Sequence, residues 1–476
     1  MVSIAVMTRN MNGVSQNRVG LVLLLLFGSG LGCRMPPLCC DSQLLDRGLQ
    51  EHACRSLPAR VCPGHEVLPA GVALDDGLHE EEAITIALAN NSAFQATVAQ
   101  LGMAGGDLVQ ASLLANPQTL IYFPVGDKQG QYTLYAPIES YMLRPYRVTV
   151  ANREYQRVGE QLVQNGLNLV RDVRIAYTDY ALAVEQARLA EEAVRLRTEI
   201  STITEKRLSD GDISELETVA ARVDKLNARA LVAVQQQNVA VVRARLLTVM
   251  GVPFLEDPSL PNSFEAPVVD LPDEATLIAQ AIASRPDYRA AAWAVAAASE
   301  RSRLARWLFV RMDGVMDVRT NSPGTQTGPG MRFDLPIFNR NEGGRMRASW
   351  ECTAAMHNRD AVRDQIVQDV RTASLQLTQA QSNLSILQLQ VFPALEEAIE
   401  IANKGFAAGG TDYLLVLQTT SQFLDARARI LDQTAASRRA YAELERSVGR
   451  CLDTPVASSA LPDAIDSSME ETDFVR

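Results

Sequence analysis

The side chains best suited to chemistry are four histidines and seven cysteines, and their spacing matches no catalytic motif. The histidines His52, His65, His79 and His357 have no serine or aspartate partner at the spacing of a known active site. The glycine-rich stretch "GMAGGD" lies within a helical pattern and follows no strand, which disfavours a phosphate-binding loop. The sequence therefore predicts that the chain is not an enzyme and has no cofactor.

The cysteines form an early group and two distant members. The early group is Cys33, Cys39, Cys40, Cys54 and Cys62, and the distant members are Cys352 and Cys451. In an oxidising compartment the early group could form disulfides. With His52 and His65 nearby it could alternatively hold zinc, but the spacings fit no recognised zinc pattern. The sequence therefore predicts no metal site.

The first 33 residues have the order of a secretory signal. Arg9 and Arg18 precede "VGLVLLLLFGSGLGC", whose apolar run of about 13 residues is too short to span a bilayer. The run ends at Gly32-Cys33, and a small residue before a cysteine predicts lipoprotein processing with Cys33 lipidated. Gly30 stands where that processing site usually has an aliphatic residue, so cleavage elsewhere by the ordinary signal peptidase is the alternative. Both interpretations predict export from the cytoplasm.

Composition favours long, closely packed helices. Of the 476 residues, 47% are apolar but only 5% are aromatic, so Ala, Leu and Val make up most of the apolar content. The formal net charge of −11 disfavours a nucleic-acid partner, because phosphate binding needs clustered Lys and Arg. The acidic balance is compatible with a cation-tolerant cavity, but it is also an ordinary means of solubility.

Two stretches of the chain read as copies of one another. "RLSDGDISELETVAARVDKLNARA" and "GFAAGGTDYLLVLQTTSQFLDARA" align after a shift of 198 positions, which pairs Gly211 with Gly409. Earlier segments align after a shift of 194, which pairs Ile84 with Ile278. The sequence therefore predicts one structural unit written twice, with a period too long for a solenoid.

The predicted elements follow the same order in each copy. A helix of about 35 residues ends at Asn116-Pro117 and precedes two strands within 118–138. In the second copy, a helix over 273–310 precedes the strands "VRMDGVMDVRT" and "GPGMRFDLPIF". Heptad series then predict long helices over 143–207 and 342–407, each about 100 Å in length and each returning through a shorter helix. Pro393 lies inside the second long helix and is expected to kink it.

Domain boundaries follow from these elements. The predicted segments are a signal or lipoprotein peptide (1–33), a tether (34–78), a first repeat (79–252), a Pro-rich linker (253–272), a second repeat (273–452) and a disordered tail (453–476).

Four strands cannot close a barrel in a membrane, since the smallest transmembrane barrels need about eight, so several chains would have to pool them. A small strand cap on a soluble bundle is the alternative. Modest alternation along the strands assigns one set of residues to a lipid-facing side, namely Leu120, Tyr122, Pro124, Leu134, Ala136, Val315, Val318, Met331, Phe333 and Leu335.

Over residues 78–452 the chain resembles the TolC-type outer-membrane efflux proteins. The most specific segment is "DLPIFNRNEGGRMRA", with the fingerprint residues Pro336, Ile337, Phe338, Asn339, Arg340 and Gly343. "ANPQTL", "SRPDYRAAAWAVAAASERSRLAR", "VFPALEEAIEIANKGFAAGGTDYLLVLQ" and "LERSVG" are similar to other parts of that family. "LPIFNRNEGG" and "APIE" resemble its cobalt-zinc-cadmium resistance branch, whereas "SYMLRPYR" departs from that branch, which commonly has a Gly-Gly-Lys-Arg-like step there.

This resemblance implies a mainly α-helical fold with a small β part, built from two tandem repeats of helix-strand-strand-long helix-helix. It implies a trimer whose pooled strands form a transmembrane β-barrel in the outer membrane, continued by an α-helical tunnel across the periplasm. The function implied is a passive efflux channel for small solutes, with heavy-metal cations favoured by the branch resemblance. The implied partners are a second and third copy of the chain, a periplasmic adaptor, an inner-membrane pump of the RND type and outer-membrane lipid.

The two glycine-containing turns that reverse the long hairpins are the predicted adaptor contacts. These hairpin tips comprise Leu208, Ser209, Asp210, Gly211, Asp212, Gly409, Gly410, Thr411 and Asp412. Their glycines are also explained by the turn alone, because glycine adopts positive φ at no steric cost. The candidate acidic residues near an aperture are Asp210, Asp212, Glu215 and Asp412.

Three other functions compete with the efflux channel. A periplasmic adaptor also has a long helical hairpin, but it has one hairpin flanked by β-rich domains, whereas this sequence predicts two. A structural coiled-coil lipoprotein should lack the strand pairs. A type I secretion duct shares the predicted architecture and differs in its cargo, so the sequence leaves it open.

Overall fold

A computed structural model describes residues 42–53, 68–69, 72, 77–123, 130–255, 259–260, 264–267, 271–321 and 324–450. The predicted signal, the lipidation site Cys33, most of the tether and the predicted tail lie outside these residues.

The first half of the described chain contains five helices and two strands. These are α1 (Ser42–Ala53), α2 (Glu80–Asn90), α3 (Ser92–Ser112), β1 (Gln118–Tyr122), β2 (Gln131–Pro137), α4 (Ile138–Asp210) and α5 (Glu215–Met250). From α2 onward, the second half follows the same order. Its elements are α6 (Glu274–Ser284), α7 (Pro286–Ala305), β3 (Met312–Asn321), β4 (Gly324–Phe333), α8 (Glu342–Ile386), a π-helical turn (Leu387–Val391), α9 (Phe392–Ala407) and α10 (Tyr413–Val448).

The heptad series predicted long helices, and in the structure these helices form a row. Helix α4 has 73 residues, which at about 1.5 Å per residue gives a length of about 110 Å. It packs against α5 on one side and α10 on the other, and α10 in turn packs against α8 and α9. The order across the row is therefore α5, α4, α10 and then α8–α9. Toward the strands, α3 and α7 replace the returning helices beside α4 and α8.

The strands form one antiparallel sheet in the order β1-β2-β3-β4. The central pair, β2 and β3, joins the two halves of the chain, with Gln131 opposite Arg319 and Pro137 opposite Asp313. Among the described strands, β1 and β4 each have a partner on one side only. The sheet therefore holds one end of the helical row together and has two open edges.

Each helix predicted to precede a strand pair is in fact two helices. The prediction of a continuous helix was wrong at Asn91 and at Arg285, where the backbone leaves the helical region (ψ 109° and 126°). The Asn91 side chain accepts the Phe94 N–H at 2.9 Å and so caps α3. Arg285 precedes Pro286, and a residue before proline is disfavoured in the helical conformation.

Each break lies against the end of a returning helix. The Asn91 Nδ2 donates to Val249 O at 2.8 Å, and Arg285 Nη1 donates to Ser447 O at 3.3 Å. The returning helices then end at glycines with positive φ, Gly251 (76°) and Gly449 (74°). Carbonyls in the last turns of α5 and α10 are therefore bonded by side chains from the breaks.

The predicted disturbance at Pro393 takes the form of a π-helical turn just before the proline. Phe392 N–H donates to Leu387 O, five residues back, and α9 continues from there. Proline is tolerated at this point because the preceding turn already has a wider hydrogen-bonding pattern.

Helix α1 lies in the segment predicted as a tether and packs into the core. Leu45 and Leu49 are fully buried. Contact with α4 is close, since a Cβ added to Gly48 would lie 2.5 Å from Val163 Cγ2, and one added to Gly166 would lie 2.6 Å from Leu49 Cδ2. Local periodicity did not predict this helix, because it has only twelve residues and few of them are apolar and face the core.

The glycine ends of the returning helices provide a matched test. Gly251→Ala should destabilise the protein more than Gly211→Ala, although both residues have similar positive φ (76° and 81°). At Gly211 a Cβ meets no atom within 4 Å, so only the conformational cost of about 1–2 kcal/mol applies. At Gly251 a Cβ would lie 2.5 Å from Asn90 O, which adds an overpacking cost of about 1–3 kcal/mol. Denaturant midpoints of the two detergent-purified variants measure the difference, and equal midpoints would contradict the described contact.

Candidate functional site: hairpin tips, strand faces and open edges

The first hairpin tip is a glycine-capped helix end followed by a capping box. Gly211 N–H donates to Leu208 O at 3.1 Å and Asp212 N–H donates to Arg207 O at 2.8 Å, the pattern of a Schellman motif. Ser214 then begins α5, with its hydroxyl accepting the Glu217 N–H at 3.3 Å and the Glu217 carboxylate accepting the Ser214 N–H at 2.9 Å.

The second tip has the same two backbone hydrogen bonds as the first. Gly409 N–H donates to Phe406 O at 3.2 Å, and Gly410 N–H donates to Gly405 O at 2.9 Å. Each donor and acceptor lies 198 positions after its counterpart in the first tip. Asp412 occupies the cap position of α10 without a side-chain hydrogen bond. The two predicted tip sequences therefore adopt the same fixed turn.

The structure brings the two tips together in one small apolar cluster. Phe406 and Tyr413 from the second tip pack with Ile200 and Ala221 of the first hairpin. The Arg207 guanidinium lies over the Phe406 ring, with its carbon 4.9 Å from the ring centroid. The predicted tip residues Leu208, Ser209, Asp210, Gly211, Asp212, Gly409, Gly410 and Asp412 are exposed, and Thr411 is half-buried.

Among the described residues, two hydrogen bonds cross between the hairpins at this end, and sequence reasoning missed both. The Arg207 Nη1 donates to Phe406 O at 3.4 Å. The Tyr413 hydroxyl donates to Asp224 Oδ2 at 2.7 Å. Burial, and then the hydrogen bond and charge of Asp224, raise the pKa of Tyr413 above its usual value. A raised tyrosine pKa means that the phenol stays protonated throughout the neutral range, so the donor is always present. Tyr413 directly follows the predicted tip. The sequence feature that could have indicated this bond is an aromatic residue at the start of the returning helix.

The acidic residues predicted near an aperture do not form a cluster with bonded partners. Asp210, Asp212, Glu215 and Asp412 are all exposed. Asp210 has a 3.5 Å contact from the Ser209 hydroxyl. Their arrangement places several negative charges on one solvent-facing end of the hairpins.

The strand register separates an apolar face of the sheet from a polar one. Directly opposed residues of antiparallel strands point to the same face, so Gly314, Met331 and Ala136 share a face. The apolar face comprises Ile121, Tyr132, Leu134, Ala136, Met312, Met316, Val318, Pro329, Met331 and Phe333. Of the residues predicted to face lipid, Leu134, Ala136, Val318, Met331 and Phe333 lie on this face.

Three residues of the predicted lipid-facing set lie on the opposite face. Leu120 opposes Thr133, Tyr122 opposes Gln131 and Val315 opposes Tyr135, so the prediction that the whole set shares one face was wrong. Strand faces alternate with period two, and the pairing register between distant strands is not encoded in a local pattern. Pro124 lies outside the described residues, and Leu335 follows the end of β4.

The polar face carries a network of charged and amide side chains. Asp317 Oδ1 accepts from Thr133 Oγ1 at 2.9 Å and from Gln131 Nε2 at 3.0 Å. Arg332 Nε donates to Asp313 Oδ2 at 2.8 Å, and its guanidinium carbon lies 4.5 Å from the Tyr135 ring centroid. This face therefore has the polarity of a water-exposed surface and the opposite face that of a lipid-exposed surface.

The fingerprint segment forms the corner between β4 and α8. Asn339 Oδ1 accepts the Asn341 N–H at 2.8 Å, and Arg340 Nε donates to Pro336 O at 3.2 Å. Pro336, Gly343 and the large side chains Ile337 and Phe338 are not packed in a core, and Phe338 is 99% exposed. Sequence reasoning missed Asn341, which has a positive φ of 62° and donates from Nδ2 to Ala305 O at 2.9 Å. It thereby ties the corner to the end of α7.

Both outer helices of the row carry exposed apolar side chains. On α5 these are Leu216, Val219, Val223, Leu226, Leu231, Val234 and Val241, which fall within one stripe at helical spacing. On the other outer edge they are Met346, Trp350, Met356, Leu375, Ile386, Leu389, Val391 and Ile401. A monomer would expose both sets of side chains to water, so each edge has the character of a protein interface.

Within the part of the chain that the structure describes, no group of three or more His, Cys, Asp and Glu side chains is placed to hold a metal ion. Among the described helices, none combines the length and the mean hydropathy that a membrane crossing requires.

Comparison with known proteins gives a consistent result. Residues 277–450 match the profile of the family described as "Outer membrane efflux protein". The chain is 26% identical over 385 residues to the cobalt-zinc-cadmium resistance protein CzcC of Cupriavidus metallidurans, covering 78% of this chain and 90% of the relative.

Solved structures share the fold. A CusC structure, described by its conformational changes on folding and transmembrane channel formation, has a TM-score of 0.67 at 19% identity, covering 83% of this chain and 99% of that one. The open-state MtrE outer membrane channel of Neisseria gonorrhoeae has a TM-score of 0.65 at 19% identity, covering 82% and 98%.

The Tyr413–Asp224 bond should stabilise the tips measurably. Tyr413→Phe and Asp224→Ala should each lower the local stability of the first turns of α10 by about 1.5–3 kcal/mol, because a hydrogen bond to a carboxylate is lost. In a double-mutant cycle the two effects should not add, since they remove the same bond. Amide hydrogen exchange of residues 413–420 in the purified protein measures this. Tyr141→Phe, at a tyrosine that is 59% exposed, is the matched control and should leave exchange unchanged; full additivity of the two tip variants would show that the bond is absent.

Proposed function

We propose that this chain forms the wall of a passive efflux duct. Residues 277–450 match the outer membrane efflux protein family, and by this match and the similarity to CzcC the chain is an outer-membrane protein and not an enzyme. The family resemblance predicted from the sequence is confirmed by this match and by the similarity to CzcC. The assembly, the cargo and the partners of the duct are part of the same proposal.

The observation that carries the proposal is that one chain is an incomplete wall. The helical row has exposed apolar side chains on each outer edge, and the sheet has unpaired edges at β1 and β4. An edge strand in lipid would leave backbone groups unbonded, which a membrane does not tolerate. Both helices and strands therefore require a neighbour on each side.

The two edges differ from each other, so the association is head-to-tail. The α5 edge of one copy meets the α8–α9 edge of the next, and β1 meets β4 of a neighbour. Repeated heterologous contacts close into a ring when the rotation per copy fits. Three copies supply about twelve strands, more than the roughly eight that close the smallest transmembrane barrels. We propose a homotrimer with a pooled β-barrel and an α-helical tunnel that extends into the periplasm.

Sidedness follows from the two faces of the sheet. The face with Met316, Met331 and Phe333 contacts lipid, and the face with Asp313, Asp317 and Arg332 lines the water-filled interior. The equivalent order of elements in the two halves reflects duplication of one unit, so each chain contributes two similar sectors to the wall.

Partners and cargo extend the same proposal. The tips lie at the end of α4 remote from the sheet, about 110 Å away by helix length, which suits contact with a periplasmic adaptor linked to an inner-membrane pump of the RND type. Similarity to a cobalt-zinc-cadmium resistance protein favours divalent heavy-metal cations as cargo, and the net charge of −11 is compatible with cation passage.

The oligomeric mass and conductance of the purified protein test the proposal directly. We expect a detergent-solubilised trimer that conducts in planar bilayers with cation preference, and a deletion strain with lower tolerance of zinc, cobalt or cadmium. A water-soluble monomer without conductance would exclude the duct and leave an adaptor or a structural coiled coil. Conductance with unchanged metal tolerance would retain the duct and remove the heavy-metal cargo.

A charged residue in the α5 stripe should weaken the trimer. Val234→Lys places an ammonium group in the proposed contact, where Val234 is 62% exposed in the single chain. An unpaired charge taken out of water costs at least about 2 kcal/mol, which corresponds to a fall in association of roughly 30-fold. Native mass spectrometry of the detergent complex measures the trimer fraction.

Gln422→Lys is the control for this variant. Gln422 is exposed on α10, an inner helix of the row, so it adds the same charge away from both edges. An equal loss of trimer in both variants, or no loss in Val234→Lys, would show that the α5 stripe is not an interface.

A further inference from the structure

We propose that His52 is an acid-sensitive latch, in which the neutral imidazole fastens the end of α1 to the end of α10 and to the first turn of α7, and protonation releases it. The latch consists of contacts within one chain and does not depend on the proposed function.

His52 is almost fully buried, with 3% of its surface exposed, and both ring nitrogens have partners. Nδ1 lies 2.8 Å from Gly449 O, just past the end of α10. Nε2 lies 3.3 Å from Nη1 of Arg289 on α7. One side chain near the chain start therefore contacts the second half of the molecule at two points.

The partners fix the protonation state of the ring. A carbonyl oxygen only accepts, so Nδ1 must carry the hydrogen; a guanidinium only donates, so Nε2 must be unprotonated. The structure therefore requires the neutral Nδ1–H tautomer. A second proton would go onto Nε2, where it would remove the acceptor and place a positive charge against Arg289.

Arg289 is not free to move away from an imidazolium. Its Nη2 donates to Glu160 Oε1 of α4 at 2.7 Å, and Glu160 is 8% exposed. Nη1 also lies 3.9 Å from Glu51 Oε1 on α1. Because Arg289 is held by α4, the element that can yield on protonation is the last turn of α1.

Several other charged groups around His52 form ion pairs with other residues, and two have opposite effects on the protonation of His52. Those that line the adjoining small pocket are Arg171, Arg174, Glu445, Arg446 and Arg450. Arg171 pairs with Glu443 and Asp172, Arg174 with Glu445 and Glu80, and Arg446 with Asp369 and Glu443. The carboxylate nearest to His52 in sequence, Glu51, favours the imidazolium, whereas Arg289 disfavours it.

Together, these effects lower the pKa of His52. Burial is the largest effect and lowers the pKa of His52 below 6.5, the Gly449 and Glu51 interactions partly offset it, and Arg289 lowers it further. A histidine with a lowered pKa contributes stability that is complete above about pH 6.5 and is lost as the pH falls toward the lowered pKa. Burial raises the pKa of Glu160, with Arg289 opposing, so protonation of Glu160 has the opposite sign and favours the folded state as the pH falls.

Hydrogen exchange of α1 in the full-length purified protein tests the latch. Between pH values of about 7.5 and 5.5, protection of residues 45–53, corrected for the intrinsic exchange rate, should fall by up to about tenfold per pH unit below 6.5. Protection of residues 162–173 in α4 should stay constant. Constant protection of α1 across this range would overturn the proposal.

Variants separate His52 from the other titrating groups. In His52→Gln the amide can donate to Gly449 O and accept from Arg289 without titrating, so the acid-dependent loss should disappear; Glu160 is retained, and its contribution cancels in the comparison. His357→Gln, at an exposed histidine on α8, should keep the wild-type response. An equal acid response in wild type and His52→Gln would overturn the proposal.

Arg289→Gln gives an independent measurement if His52→Gln does not fold. It removes the positive charge that faces Nε2 and supplies an amide oxygen that can accept from an imidazolium. Protection of α1 should then persist at pH of about 5.5. Loss of protection equal to that of wild type would show that repulsion by Arg289 is not the cause.

Discussion

The constraint on which this structure depends is that a helix ending in the protein interior leaves carbonyls that need donors. Helices α4 and α8 each run past the junction without a break. The helices beside them are shorter and meet end to end, α3 with α5 beside α4 and α7 with α10 beside α8. At each meeting point a side chain from a helix break donates to a last-turn carbonyl, Asn91 to Val249 O and Arg285 to Ser447 O. Arg285 also bonds Asp369 at 3.0 Å. Burial alone would raise the pKa of Asp369, but hydrogen bonds from Gln365, Arg285 and Arg446 outweigh it and lower that pKa. With both junctions satisfied, the sheet and the tips are held at opposite ends of one rigid row.

Sequence patterns predicted what depends on local periodicity and missed what depends on distant pairing. Seven-residue series predicted the long helices because burial repeats along one helix face. The break at Asn91 was missed because an apolar pattern runs through it, although the break at Arg285 had a local signal in the following proline. The prediction of strand faces failed at Val315, which lies three residues from Val318 on the same strand and therefore on the opposite face. The Tyr413–Asp224 bond joins residues 189 positions apart, and no local pattern encodes it.

A one-residue difference between the two halves explains the π-helical turn. Val173, Ala176, Tyr180 and Ala183 on α4 correspond in burial to Val370, Ala373, Leu377 and Ala380 on α8, a shift of 197. At the tips the shift is 198, since Gly211 corresponds to Gly409. One extra residue must therefore be accommodated between Ala380 and the second tip without rotating the apolar face of α9. A π-helical turn does this, because it holds one residue more than an α-helical turn.

Hydrogen bonds and apolar contacts occur in different parts of the structure. Inside the chain, hydrogen bonds with fixed geometry join the halves, as at Tyr413–Asp224 and Gln131–Asp317. On the outer helices the exposed large apolar side chains are mostly aliphatic, and aliphatic surfaces pack with little penalty for small axial shifts. The open edges of β1 and β4 present backbone donors and acceptors at fixed spacing, and a slip of one residue there would exchange the apolar and polar sides. In a ring of copies, the strand edges would therefore set the axial register, and the helical edges would follow it and contribute mainly buried apolar area.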